Sequence, residues 1–179
     1  MIDHHSSKCQ GLTLVLGGAR SGKSRYAETL VTSLPPPWTY VATAQALDEE
    51  MATRIAAHRS RRNAGWHTIE APHDLGGALS SAPADAALLI DCLTLWLSNR
   101  MLAGADVDAE VDHLEHALVR HAGTVVLVSN EVGSGIVPDN ALARRFGDLQ
   151  GYLNQRLAAQ ANRVVLLVAG LPIFLKGDA

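Results

Sequence analysis

The octapeptide GGARSGKS, residues 17–24, narrows the possible folds of this chain more than any other stretch. It matches G-x-x-x-x-G-K-[ST], follows the apolar run LTLVL (residues 12–16), and opens an amphipathic segment that three prolines close at residues 35–37. A strand, a glycine-rich loop and a helix in that order make a phosphate cradle, because glycines let backbone N–H groups turn inward and the helix N-terminus adds partial positive charge. Gly17, Gly18 and Gly22 supply the freedom to turn, and Ala19, Arg20 and Ser21 complete the loop. Lys23 is placed to reach the β and γ phosphates of a nucleotide, and the Ser24 hydroxyl to ligate Mg²⁺.

The rest of the chain repeats the alternation that begins there. The runs WTYVAT (38–43), AALLID (86–91), TVVLVS (124–129) and VVLLVA (164–169) are apolar at nearly every position. Such runs read as strands buried on both faces, which predicts an α/β fold with a mainly parallel sheet flanked by helices. Helices are expected over residues 24–34 and 48–63, and after Pro138, where Leu142, Phe146, Leu149, Leu153 and Leu157 recur along one face. A length of 179 residues with 47% hydrophobic residues fits one domain over residues 11–179, preceded by a polar extension at 1–10.

Composition excludes several classes of function. A net charge of −3 gives no global attraction to nucleic acid or an anionic membrane, so anion binding must come from local clusters. The longest apolar stretch, VVLLVAGLPIFL, falls short of the roughly twenty residues of a membrane span, and no export signal is visible. Cys9 and Cys92 are too few and too differently placed for a disulfide framework, which fits a reducing cytoplasm.

Two places carry candidate chemistry beyond the cradle. The strand AALLID ends in Asp91, where a carboxylate can hold Mg²⁺ directly or through water; a strand-end Asp can equally be a loop residue or a cap. The segment RIAAHRSRRNAGW, residues 54–66, gathers Arg54, Arg59, Arg61 and Arg62 around His58. On a helix His58 shares a stripe with Met51, Ile55 and Arg62, and the arginines at i−4, i+3 and i+4 disfavour a charged imidazolium. A neutral imidazole is the nucleophilic form, and the same arginines can hold phosphates. The bland alternative is a satisfied histidine on a solvated basic face. The remaining histidines show no metal-ligand spacing with Cys or carboxylates.

Taken together, GGARSGKSRYAE, YVATAQALDEEMATRIAAHRSRRNAGWHTIE, LLIDCLTLWLSN and VSNEVGSGIVPDNALARRFGDLQGYLNQRLAAQANRVVLLVAG resemble the bifunctional adenosylcobinamide kinase and adenosylcobinamide-phosphate guanylyltransferase family of cobalamin biosynthesis. The resemblance spans roughly residues 11–171 and implies a P-loop NTPase fold of the RecA-like group, usually a homotrimer. It implies two steps: phosphorylation of the aminopropanol hydroxyl of adenosylcobinamide with ATP or GTP, then transfer of GMP from GTP to that phosphate through a guanylylated histidine, releasing pyrophosphate. It aligns His58 with that histidine. Some members carry two adjacent histidines there, whereas here Ala57 precedes His58. By the same resemblance Thr43, Ala44, Gln45, Arg59, Ser60, Arg61, Arg62, Glu70 and Asp91 contribute to the GTP site. NEVGSGIVP then reads as a loop over the corrinoid site or as a rigid turn.

Two other functions fit the cradle alone: a small-molecule kinase without nucleotidyl transfer, its arginines clamping a γ phosphate, and a non-catalytic nucleotide-gated switch. Against the switch, the chain has no N-K-x-D segment for reading guanine.

Overall fold

The structure, a computed structural model, describes residues 11–60 and 62–178, so the polar extension and Arg61 lie outside the described residues. Its elements run β1 (Leu12–Gly17), α1 (Lys23–Thr32), β2 (Trp38–Ala42), α2 (Glu49–Ser60), β3 (Trp66–Glu70), α3 (Leu75–Ser81), β4 (Ala87–Asp91), α4 (Leu93–Leu102), α5 (Val107–Arg120), β5 (Val125–Val128), α6 (Ala141–Gln160), β6 (Arg163–Val168) and β7 (Leu171–Lys176).

One sheet holds all seven strands in the order β3-β2-β4-β5-β1-β6-β7. Every neighbouring pair is parallel except β6–β7. The five apolar runs are the five inner strands, and their period of two explains why they are apolar at nearly every position. Leu12, Leu14, Leu16, Leu88, Ile90, Val125 and Leu127 face the core shared with α3, α4, α5 and α6. The alternate residues Val15, Trp38, Tyr40, Leu89, Val126 and Val128 face the second core, built with Ala27 and Val31 of α1. Both faces are covered, so the inner strands are apolar at most positions, with Thr13 and Thr39 as buried polar exceptions.

The two edge strands escape that rule. WHTIE of β3 is only partly buried, and LPIFLK of β7 exposes Leu171, Ile173 and Leu175. Between β6 and β7 the chain reverses through Ala169 (φ 51°) and Gly170 (φ 81°), the two left-handed residues of a tight hairpin turn. That turn braces the phosphate loop, since Gly170 N donates to Ser21 O at 3.0 Å.

Parallel strands align their C-terminal ends, and β1, β2, β4 and β5 all finish along one rim of the sheet. Order 4-5-1 in mid-sheet leaves a crevice at that rim, where open α/β sheets bind ligands.

Candidate active site

The rim opens into a cavity of about 910 Å³, lined from the phosphate loop, the end of β2, α2, β3 and the start of α4. A nucleoside triphosphate fits such a volume. Two of the helices facing it, α1 and α4, are capped differently from the others. Asp48, Asp74, Asp106 and Asn140 each accept a backbone N–H in the first turn of α2, α3, α5 and α6. α1 and α4 start at Gly22 and Cys92 with no side-chain cap. Both of those starts line the cavity, which leaves N–H donors for an anion.

The loop's geometry depends on its glycines. Gly17 has φ +152°, and a Cβ there would lie 2.6 Å from both Leu167 O and Ser21 Oγ. Gly22 has φ +96°, a conformation L-residues avoid. Across the loop Lys23 Nζ donates to Gly18 O at 2.5 Å. Burial lowers the Lys23 pKa below its ordinary value, opposed by Cys92 and by the Asp91 carboxylate.

Asp91 and Tyr40 come from adjacent strands in which Ala42 is level with Asp91. Tyr40 Oη therefore donates forward to Asp91 Oδ2 at 3.1 Å. Burial, and then the Asp91 charge, push the Tyr40 phenol upward, so it remains a donor. The same causes in the same order push the Cys92 thiol up to about 11, so it is neutral at physiological pH. From the other wall His58 brings Nδ1 to 4.0 Å from the same Asp91 Oδ2. α2 buries none of its residues, yet Met51, Ile55 and His58 are its half-buried ones, and the stripe expected from their spacing faces the cavity.

The arginines divide their work. Arg59 pairs with Glu70 at the rim, and Arg54 lies 3.9 Å from Glu50. The Arg62 guanidinium stacks on the Tyr40 ring at 3.6 Å from its centroid. Its Nη1 is buried with no hydrogen-bond partner among the described residues.

Most residues expected from the sequence do converge here. Ala19, Arg20, Ser21, Gly22, Lys23, Ser24, Ala44, Gln45, His58, Arg59, Arg62, Glu70 and Asp91 line the cavity. Gly17 and Gly18 shape the loop from behind it. Ser60 is outside the lining; its hydroxyl donates to Ala57 O at 3.0 Å. Thr43 is fully buried, and its Oγ1 both donates to Cys92 O and accepts from Cys92 N at 2.8 Å, tying β2 to the start of α4. Tyr40 and Cys92 line the site without having been expected there. In NEVGSGIVP only Asn130 reaches the cavity, and residues 131–140 are exposed.

Ser24 and Asp91 offer one hydroxyl and one carboxylate beside Lys23, a hard-oxygen set suited to Mg²⁺ carried in on phosphates. Among the described residues no three His, Cys, Asp or Glu gather to hold a metal ion by themselves. The cation's other ligands would be phosphate oxygens and water.

Residues 13–175 match the family described as cobinamide kinase / cobinamide phosphate guanyltransferase. The chain is 49% identical over 168 residues to the bifunctional adenosylcobalamin biosynthesis protein CobP of Pseudomonas aeruginosa, covering 92% of this chain and 97% of that one. It is 43% identical over 181 residues to the bifunctional adenosylcobalamin biosynthesis protein CobU of Salmonella typhimurium, covering 92% and 99%. Among solved structures it is similar to the flagellar accessory protein FlaH of Methanocaldococcus jannaschii, with a TM-score of 0.53 at 12% identity over 96% of this chain and 80% of that one. A second solved structure, an ATPase domain, gives 0.53 at 11% identity over 95% and 78%. These two likenesses concern the fold, that of P-loop NTPases with a mostly parallel sheet.

Proposed function

The chain belongs to the cobinamide kinase / cobinamide phosphate guanyltransferase family, and from that membership we propose that the rim cavity serves two reactions on adenosylcobinamide. The observation that carries the reading is the meeting of the phosphate loop, Asp91, Arg62 and His58 around a single space.

In the kinase step the corrinoid's aminopropanol hydroxyl attacks the γ phosphorus of ATP or GTP. The bond to the β–γ bridging oxygen breaks, the nucleoside diphosphate leaves, and the hydroxyl proton passes to solvent. Lys23 and the uncapped N–H groups of α1 hold the phosphates and oppose the charge that moves onto the leaving oxygen. Bound Mg²⁺, held by Ser24 and Asp91, would neutralise charge on the same phosphates.

In the guanylyl step His58 attacks the α phosphorus of GTP. A nitrogen–phosphorus bond forms, the α–β bridging bond breaks, and pyrophosphate leaves. The imidazole gives up its remaining N–H proton toward Asp91 and solvent. The phosphate of adenosylcobinamide phosphate then attacks the same phosphorus, releasing His58 and giving adenosyl-GDP-cobinamide. Arg62, whose buried Nη1 has no hydrogen-bond partner among the described residues, is suited to the phosphates, as is Arg59 at the rim. Arg61, Ala44, Gln45 and Glu70 belong to the same GTP-binding proposal. The exposed loop 131–140, with Ile136 and Val137 open to solvent, is the surface we assign to the corrinoid. Self-association into a trimer is part of this reading, and the apolar edge of β7 offers surface for it.

The test is covalent labelling. After incubation with α-labelled GTP and Mg²⁺, the intact protein should gain the mass of one GMP, in an acid-labile and alkali-stable linkage. His58→Ala should lose both label and guanylyl transfer, while His67→Ala, on the exposed side of β3, should keep them. Normal labelling of His58→Ala overturns the assignment.

A further inference from the structure

We propose that Tyr40 is a positioning residue for guanylyl transfer: its hydroxyl holds the Asp91 carboxylate toward His58 Nδ1 while its ring carries Arg62 over the same space. The inference rests on His58 as the guanylylated residue.

Tyr40 joins three functional groups of the cavity through one side chain. It is 4% exposed and belongs to the α1-side core, so its ring is fixed by packing. Trp66 meets the ring edge-on, centroids 6.0 Å apart at 81°, and Trp38 backs Trp66 at 5.4 Å. Along β2 and β4 the tyrosine is level with Leu89, two residues behind Asp91 on the same face. Two residues of strand rise about 6.6 Å, a span a tyrosine side chain covers, which is why a core residue delivers its hydroxyl to the rim.

A strand-end carboxylate at the mouth of a cavity has several rotamers open to it. The hydrogen bond of 3.1 Å from Tyr40 Oη engages Oδ2, the oxygen that faces His58 Nδ1 at 4.0 Å. That separation is longer than a hydrogen bond, and catalytic contacts commonly tighten only when the reactants are in place. Asp91 on the Nδ1 side leaves Nε2 as the attacking nitrogen. As that nitrogen bonds to phosphorus the ring becomes positive, so a carboxylate held there favours the transition state over the ground state. The opposite face of the argument is Arg62. Its guanidinium lies flat on the ring, which sets its plane without using its N–H groups. One phenol thus orients the nucleophile's partner by its hydroxyl and a phosphate ligand by its face.

Tyr40→Phe separates the two, since it keeps the ring and removes only the hydroxyl. Rapid-quench labelling with α-labelled GTP should show the rate at saturating GTP falling about ten- to hundredfold, as expected for a misoriented nucleophile, with the half-saturating GTP concentration within about threefold of wild type. If the variant labels within about twofold of the wild-type rate, or if its loss lies wholly in the half-saturating concentration, the proposal is overturned while His58 stands. If wild type itself takes no label, His58 and Tyr40 fall together. A second measurement needs no variant: the nitrogen bearing GMP, read by ³¹P–¹⁵N coupling in alkali-denatured wild-type protein. Attachment at Nε2 is expected, and attachment at Nδ1 overturns the orientation. Should Tyr40→Phe differ from wild type in circular dichroism or melting, that second measurement decides.

Discussion

Replacing Lys23 by Met tests whether the phosphate cradle assigned to the kinase step also holds the GTP of the guanylyl step. Methionine keeps the buried stem and deletes the ammonium. In the nucleotide-free protein the loss is one bond, Lys23 Nζ to Gly18 O at 2.5 Å, set against release of a partly desolvated charge. The two nearly offset, so the melting temperature without nucleotide should move little. With nucleotide the balance changes, because a hydrogen bond from a charged group contributes about 1.5–3 kcal/mol and nothing replaces it. Taking about 2 kcal/mol, affinity falls about 30-fold. At nucleotide near 100 times the wild-type Kd, binding stabilises wild type by about 2.7 kcal/mol; the same concentration stabilises the variant by only about 0.9 kcal/mol. For a chain of this size each kcal/mol moves the melting temperature by about 2–4 °C. Nucleotide with Mg²⁺ should therefore raise the wild-type midpoint by about 5–11 °C and the variant's by about 2–4 °C. Thermal shift gives these numbers, and both enzymatic steps should slow in the same variant. An undiminished shift, or a kinase step at wild-type rate, refutes the shared cradle.

The pH dependence of that comparison follows from the sign of the Lys23 shift. Its pKa in the folded chain lies below the ordinary 10.5, so between the two values the unfolded chain binds more protons. Stability then rises with pH through that alkaline window, and below it the desolvation penalty is constant. Relative to Lys23→Met, nucleotide-free wild type should accordingly gain stability as pH climbs toward 10.5, and a gap that widens in the other sense contradicts the burial argument.

Two further outcomes check neighbouring groups. Asp91→Asn, nearly isosteric, should keep the fold but raise the Mg²⁺ concentration needed for half-maximal turnover in both steps; an unchanged Mg²⁺ dependence restricts Asp91 to its contacts with Tyr40 and His58. Thr43→Val should leave Cys92 N and O without their hydroxyl partner, costing about 1–3 kcal/mol in urea denaturation, with GTP affinity changed less than about threefold; a tenfold affinity loss at unchanged stability would restore Thr43 as a direct nucleotide contact.

Thr43 also shows where a sequence stops being legible. Its place after a strand is visible in the chain, but what its hydroxyl does depends on Cys92, a residue 49 positions away. The inner strands carry their own signal, since burial on both faces makes nearly every position apolar. β3 and β7 do not: WHTIE is half polar because it closes one edge, and LPIFLK merges with β6 because the turn between them, Ala169–Gly170, is too small and apolar to interrupt the run. α4, LTLWLSNRML, is buried on several sides and so lacks the one-sided stripe that marks α6.

The same logic separates the parts of the site. A phosphate loop is local, eight consecutive residues whose backbone does the binding, so its chemistry can be read without the fold. The residues that orient His58 are distributed, and the sheet is what joins them. Tyr40 reads as core because it is core: it alternates with Val41 across β2, and nothing in WTYVAT distinguishes a tyrosine that fills space from one that aims a carboxylate. Only the parallel register of β2 with β4, which sets Asp91 ahead of Tyr40 on one face, turns that packing residue into a polar contact at the rim. In a fold of this kind the residues that align catalytic groups are therefore to be sought one strand-pair behind the obvious ones, on the face they share.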